Sequence, residues 1–416
     1  MSAIEWWIGF DWASKTHRAC VLDGRGQVIG ERDVDHAGEG LAAFCDWLIK
    51  QTASVPERIA VAIETPHGPV VETLLERGFA VYALNPKQLD RFRDRFTVAG
   101  AKDDSRDARV LADSLRTDTA AFRRLAVEDP LIIQLREWTR LREDLIQECN
   151  RLTNRLREQL WRYYPQALEL TDDLGAAWFL ALWQQAPTPA HAARLRPSSV
   201  QKLLQAHRIR RLDAAEVLGI LRRKPLAVAP GAAEAARAHI RTLLPRLQLV
   251  NQQLHSAERQ LDELCGQIQQ QTESEPGQLL EQRDVAILRS CPGNGRIVLA
   301  TLLAEAAEPL RCRDYYALRS LCGVAPVTRR SGKSCRVLRR HACNERLRNA
   351  AYHWARTAIQ HDPVSRRRYR ELRLHGHSHG RALRTIADRL LYVLCTLLQR
   401  QTLFDRHHIS PCPQAA

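Results

Sequence analysis

Residues 4–22 read IEWWIGFDWASKTHRACVL, an apolar stretch carrying an acid, Asp11, in its middle. IEWWIGFDWA and HRACVLDG read as two strands around a tight turn. GRGQVIGERDV supplies a third, with Gly24 and Gly26 marking the hairpin. Working outward, GEGLAAFCDWLIKQ has helical spacing, RIAVAIET is a buried strand, HGPVVETLLERG is a helix closed by Gly78, and FAVYALN is another strand. Three antiparallel strands followed by βαβ alternation predict a mixed sheet with helices on its faces.

Asp11 lies inside an apolar strand, where a charge is costly unless something pairs with it. Glu64 ends the second buried strand, at the carboxyl edge where open sheets meet their ligands. Asp104 and Asp107, in AKDDSRDARVLAD, stand three residues apart at a predicted helix start and can share one face. Each acid taken singly reads as an ordinary surface or first-turn carboxylate. Taken in this order, on strand, strand end and helix start, they read as a set. Four converging carboxylates repel one another without cations between them, so the set predicts a site for two Mg²⁺ ions of the kind that serves phosphoryl transfer.

From about residue 105 to 165 the pattern is helical, with Leu131, Leu135, Trp138, Leu141, Leu145, Cys149, Leu152, Leu156, Leu160 and Tyr163 forming one apolar seam. A second seam runs Leu247, Val250, Leu254, Ala257, Leu261, Leu264, Ile268. The two seams can pair with each other or with a second subunit. Between them, Pro- and Ala-rich stretches in 171–235 read as linkers around short helices.

The 416 residues suffice for two or three domains. No apolar stretch approaches the roughly 20 residues of a membrane span, and no targeting segment opens the chain, which makes a cytoplasmic protein the expectation. Eleven cysteines without a CxxC pair read as reduced, mostly buried thiols, and HGHSHG at 375–380 as a solvated loop. The net charge of +15 is confined: residues 311–385 hold 19 Lys and Arg against 4 Asp and Glu, while the rest of the chain balances at 43 each. Such a segment is an electrostatic footprint for the phosphates of a polyanionic partner.

Two motifs sit near or in that segment. LRSCPGNGRIVLATLLAEA places Gly293 and Gly295 in a turn between two helices, a helix-hairpin-helix pattern whose N–H groups can hold a phosphate. In GVAPVTRRSGKSCRVLRRHACNERLRNAAYHWA, Ser331 precedes Gly332 in a predicted loop flanked by Arg329, Arg330, Lys333, Arg336, Arg339 and Arg340. Most loop serines are merely solvated. One whose neighbours draw a phosphodiester to its hydroxyl is a candidate nucleophile, with Ser334 the weaker alternative.

GFDWASKTH, AIETPHGPVV, AKDDSRDARVLAD, the CPGNG turn, and GVAPVTRRSGKS followed by NERLRNAAYHWA together resemble the DEDD-type transposases of bacterial insertion sequences, whose members are guided by a bridge RNA. The resemblance implies a ribonuclease-H/RuvC-like α/β domain over 1–120 with its four carboxylates on Asp11, Glu64, Asp104 and Asp107. It implies a helical, coiled-coil-like region over 121–282 and an all-α, basic transposase domain over 283–405 with the nucleophile on Ser331. It further implies a noncoding guide RNA and a homo-oligomer, dimer or tetramer, combining one subunit's carboxylates with another's serine. Lys102–Asp103–Asp104 replaces the usual Lys-Thr-Asp, which leaves Asp103 and Asp104 both open as the third ligand. A metal-only nuclease of the junction-resolvase type and a non-catalytic nucleic-acid-binding protein are the competing readings.

Overall fold

Runs of apolar residues build the first layer of the structure, a computed structural model that describes residues 4–84, 86–93, 104–127, 129–229, 231–271, 284–332 and 334–405. The chain divides into two compact units, Met1–Asp129 and Pro130–Ala416.

In the first unit, β1 (Trp6–Asp11), β2 (Thr16–Leu22), β3 (Val28–Asp35), β4 (Ile59–Ile63), β5 (Ala80–Ala83) and β6 (Arg123–Arg124) form one sheet in the order β3-β2-β1-β4-β5-β6. β1, β4 and β5 are parallel; β2, β3 and β6 run antiparallel to their neighbours. The predicted strands and hairpin are all present, and the two-residue β6 is an addition. β4, IAVAI, is buried on both faces, as a central parallel strand must be. Its Ile59, Val61 and Ile63 join Ile8 and Phe10 of β1 beneath α1 (Gly38–Thr52) and α2 (Pro69–Glu76). Ala60 and Ala62 face the other way, toward Leu111 and Leu115. After α3 (Pro86–Arg93), those two leucines come from α4 (Asp104–Thr117).

Small residues set how close α4 lies. A Cβ built on Gly9 of β1 would stand 1.7 Å from the Ala108 carbonyl oxygen and 2.7 Å from the Ala112 nitrogen. Backbone touches backbone here, so an added methyl must displace the helix rather than a side chain. We expect Gly9→Ala to cost about 3 kcal/mol or more, read as a lower denaturant midpoint; an unchanged midpoint would contradict this packing.

The second unit is organised by α5 (Pro130–Tyr163) and α10 (Ala232–Gln271), the two predicted seams. They pack along each other within the chain. The pairs Arg142–Glu258 and Arg246–Glu148 run in opposite senses along the two helices, so the hairpin is antiparallel. Between them lie α6 (Ala177–Gln185), α7 (Pro189–Arg194), α8 (Pro197–Ala206) and α9 (Ala214–Leu221), which share a core with Leu152, Leu156, Leu160, Leu243 and Leu247. At the other end Leu135, Leu261 and Leu264 belong to a second core. That core is completed by α11 (Asp284–Ser290), α12 (Arg296–Glu305), α13 (Ala307–Arg311), α14 (Tyr315–Leu321), α15 (Glu345–His361), α16 (Pro363–Leu374) and α17 (His379–Arg400).

The C-terminal region is mostly helical but not all-α, which corrects the expectation. β7 (Val327–Ser331) and β8 (Ser334–Leu338) form an exposed antiparallel hairpin where a loop was predicted. The reason is visible afterward: Val327, Thr328, Val337 and Leu338 favour strands, and Gly332, at φ +53°, supplies the left-handed turn between them. The ten described cysteines are free and most are buried. Among the described residues, no helix is long and apolar enough to cross a membrane.

Candidate active site

Register decides which acids of the first unit meet. Phe10 of β1 lies opposite Ile63 of the parallel β4, so Asp11 and Glu64 are the next residues at the same sheet edge, on strands about 4.8 Å apart. Alternation turns both away from the Phe10 and Ile63 face and toward the face that Gly9 and Ala62 present to α4. The far end of α4 is located by Arg116, whose guanidinium lies 3.0 Å from a Cβ built on Gly26, in the β2–β3 turn. That turn sits at the start of β1, so α4 runs antiparallel to β1. Its first turn, which ends on Asp107, therefore reaches the edge that holds Asp11 and Glu64.

Asp107 is 8 % exposed, while Asp11 and Glu64 are half-buried. Three predicted ligands thus share one face and one edge of the sheet. Among the described residues, however, no three His, Cys, Asp or Glu side chains are drawn closely enough together to cage a metal ion as they stand. Asp104 opens α4, but its side chain is not described, and Asp103 lies outside the described residues. Oxygen donors alone, on a strand, a strand end and a helix start, fit a hard cation such as Mg²⁺.

Sequence reading missed a histidine pair beside this edge. His17, 1 % exposed, accepts a hydrogen bond at Nδ1 from the Ala13 N–H at 3.1 Å, and its Nε2 lies 3.0 Å from His36 Nδ1. An Nδ1 that accepts must be unprotonated, so Nε2 carries the proton and donates to His36. The pair thereby ties down the turn directly after Asp11. Burial, and then the nearby His36, lowers the His17 pKa below 6.5. The unfolded chain takes up this proton near 6.5 and the folded chain resists it, so the stabilisation present above that pH is lost as pH falls below it. The drop in melting temperature between pH 7.5 and 5.5 is expected to be larger for the native protein than for His17→Gln; equal drops would exclude the linkage. The only signal in sequence was Thr16–His17 opening an otherwise apolar strand.

In the second unit Ser331 sits at the hairpin tip, opposite Ser334, and both are exposed. Arg329 pairs with Arg336 across the strands, so two-residue alternation puts Arg329, Arg336, Ser331 and Ser334 on one face. Like charges set directly opposite are unfavourable unless an anion lies between them. Among the described residues no carboxylate pairs with Arg329, Arg330, Arg336 or Arg339. Arg340 donates to the Ala325 carbonyl at 3.3 Å, and Lys333 lies outside the described residues.

The CPGNG turn does join two helices, α11 and α12. Gly293, at φ +75°, is needed for packing: a Cβ there would stand 2.6 Å from the Ala358 nitrogen of α15. The N–H groups of Asn294 and Gly295 donate to Cys291 and Gly293 carbonyls, while a Cβ built on Gly295 would meet only open space.

A family model described as a transposase matches residues 8–165, and one described as the transposase IS116/IS110/IS902 family matches residues 285–370. The chain is similar to transposase y4uE of Sinorhizobium fredii, with 58% identity over 238 residues, which are 56% of this chain and 64% of that protein, just under two thirds of its length. It is 33% identical over 417 residues to the mini-circle transposase for IS117 of Streptomyces coelicolor, covering 98% of this chain and 97% of that protein. The 43.6 kDa protein of insertion element IS110 from the same organism is 25% identical over 411 residues.

Proposed function

The chain belongs to the IS116/IS110/IS902 family of transposases, and from that membership we propose that it cuts and rejoins DNA with two sets of side chains held on separate compact units. The observation that carries this reading is the register of β1 on β4 together with the backbone contact of Gly9 with α4, which puts Asp11, Glu64 and the start of α4 at one sheet edge. That topology, three antiparallel strands and then parallel ones, supports the RuvC-like assignment. Asp11, Glu64, Asp107 and either Asp104 or Asp103 would hold the divalent metal. When bound, a pair of Mg²⁺ ions offsets charge building on the attacking and departing oxygens of a phosphodiester.

The hairpin supplies the second set. Arg329 and Arg336 draw a phosphate onto the face that carries Ser331 and offset the negative charge that builds on it during attack. The Ser331 hydroxyl forms a bond to phosphorus as the bond from phosphorus to one sugar oxygen breaks; its proton passes to solvent, and the departing oxygen takes one up. Reversal with a different strand end rejoins DNA and frees the serine. A noncoding guide RNA and a dimer or tetramer complete the proposal. Both the RNA and the oligomer rest on the family resemblance.

Recovery of a protein–DNA adduct after denaturation tests the reading, the modified peptide being mapped by mass spectrometry. Attachment at Ser331 supports it. Attachment at Ser334 moves the nucleophile, and strand cleavage without any adduct replaces it with a metal-only nuclease.

A further inference from the structure

At the foot of the β7–β8 hairpin, a cavity of about 200 Å³ opens between Gly323–Val324, α15 and the first turns of α17. Its floor is apolar, formed by Cys322, Val324, Leu383 and Ala387, and its rim carries Arg339, Arg348, Arg384, Asn349 and Tyr352. Three arginines lining one small cavity are an unfavourable arrangement in the absence of an anion. Arg348 is offset by Glu345 at 3.0 Å, but among the described residues neither Arg339 nor Arg384 has a carboxylate partner. Burial, then the charges of Arg339 and Arg381, lowers the pKa of Arg384 from its ordinary value. The first turn of α17 contains no acid to compensate.

We propose that this cavity binds one nucleotide of the DNA strand engaged by the hairpin, its phosphate held by Arg339 and Arg384 and its base or sugar laid on the apolar floor beside Tyr352. An apolar floor with a cationic rim suits a nucleotide better than a bare phosphate, which gains nothing from Leu383 and Ala387. Arg339 stands five residues beyond Ser334, roughly 17 Å at about 3.3 Å per strand residue. The bound unit is therefore not the phosphodiester at Ser331 of the same chain but a flanking one. Its role is to fix the register of the strand relative to the nucleophile.

The choice of DNA rests on the proposed role of Ser331; the cavity itself does not. The test uses the full chain and a 5′-labelled single-stranded DNA of about 20 nucleotides containing 5-iododeoxyuridine. Irradiation should crosslink it at Tyr352, equally in the native and Ser331→Ala proteins. Arg339→Gln and Arg384→Gln should each weaken binding roughly tenfold and reduce the log–log salt slope by about 1. Arg370→Gln, the same change on α16 outside the cavity, should weaken it less than about twofold. Arg339 is exposed, so its variant keeps the test valid if Arg384→Gln folds poorly. Equal losses for all three variants, or no crosslink at Tyr352, overturn the proposal. Crosslinking at Tyr352 by the matching RNA and not by DNA overturns the assignment to DNA. A failure of the Ser331 reading would appear separately, as a missing adduct with the crosslink intact.

Discussion

Asp11→Asn is expected to abolish excision of the mobile element from a reporter plasmid, a loss on the order of a thousandfold, with the fold retained. The substitution keeps the shape of the side chain and removes one negative charge at the edge where β1 and β4 end side by side. An amide oxygen still accepts hydrogen bonds, but it is a much poorer ligand for a hard cation than a carboxylate. The loss should resist added Mg²⁺, and the melting temperature should stay within a few degrees of native. Retention of a tenth of the activity would show that the Asp11 charge is not needed and would leave the shared edge as architecture alone.

Ser331→Ala removes a single oxygen from an exposed hairpin tip and should therefore leave stability untouched. Excision should nevertheless disappear, by at least about a thousandfold and together with any covalent adduct, because the proposed bond to phosphorus forms on the oxygen removed. Ser334→Ala, its cross-strand partner, should retain most activity. DNA binding by the Ser331→Ala protein should match the native, since the arginines beside it are unchanged. Full activity in Ser331→Ala alongside a dead Asp11→Asn protein would assign attack to water and leave the hairpin as a phosphate clamp.

Much of this layout was legible in the chain itself. The apolar runs of WWIGF, ACVL and IAVAI specify strands, and once those strands are placed in one sheet Asp11 and Glu64 go with them. Seams at three- and four-residue spacing specified α5 and α10, although nothing in either could choose between a partner in the chain and one in another subunit. What escaped reading depended on contacts distant in sequence. The closeness of Gly9 to Ala108 and the His17–His36 pair exist only once the sheet has formed. The β7–β8 hairpin escaped because its arginines read as solvated loop, masking the strand preference of the residues around them. The cavity at its foot joins residues from 322 to 387, and no local window contains it.

The α5–α10 hairpin also constrains how this protein tolerates changes in length. Its two arms hold separate cores at their ends, and from Leu135 to Leu160 the spacing is about 37 Å at 1.5 Å per residue. An insertion in one arm alone would shift one seam against the other and rotate every apolar residue beyond it away from its groove. Matched insertions of two helical turns in both arms would keep the faces aligned and simply move the cores apart. Length variation in this strut should thus be inherited in pairs, and paired insertions offer a way to rescale the molecule without redesigning either end.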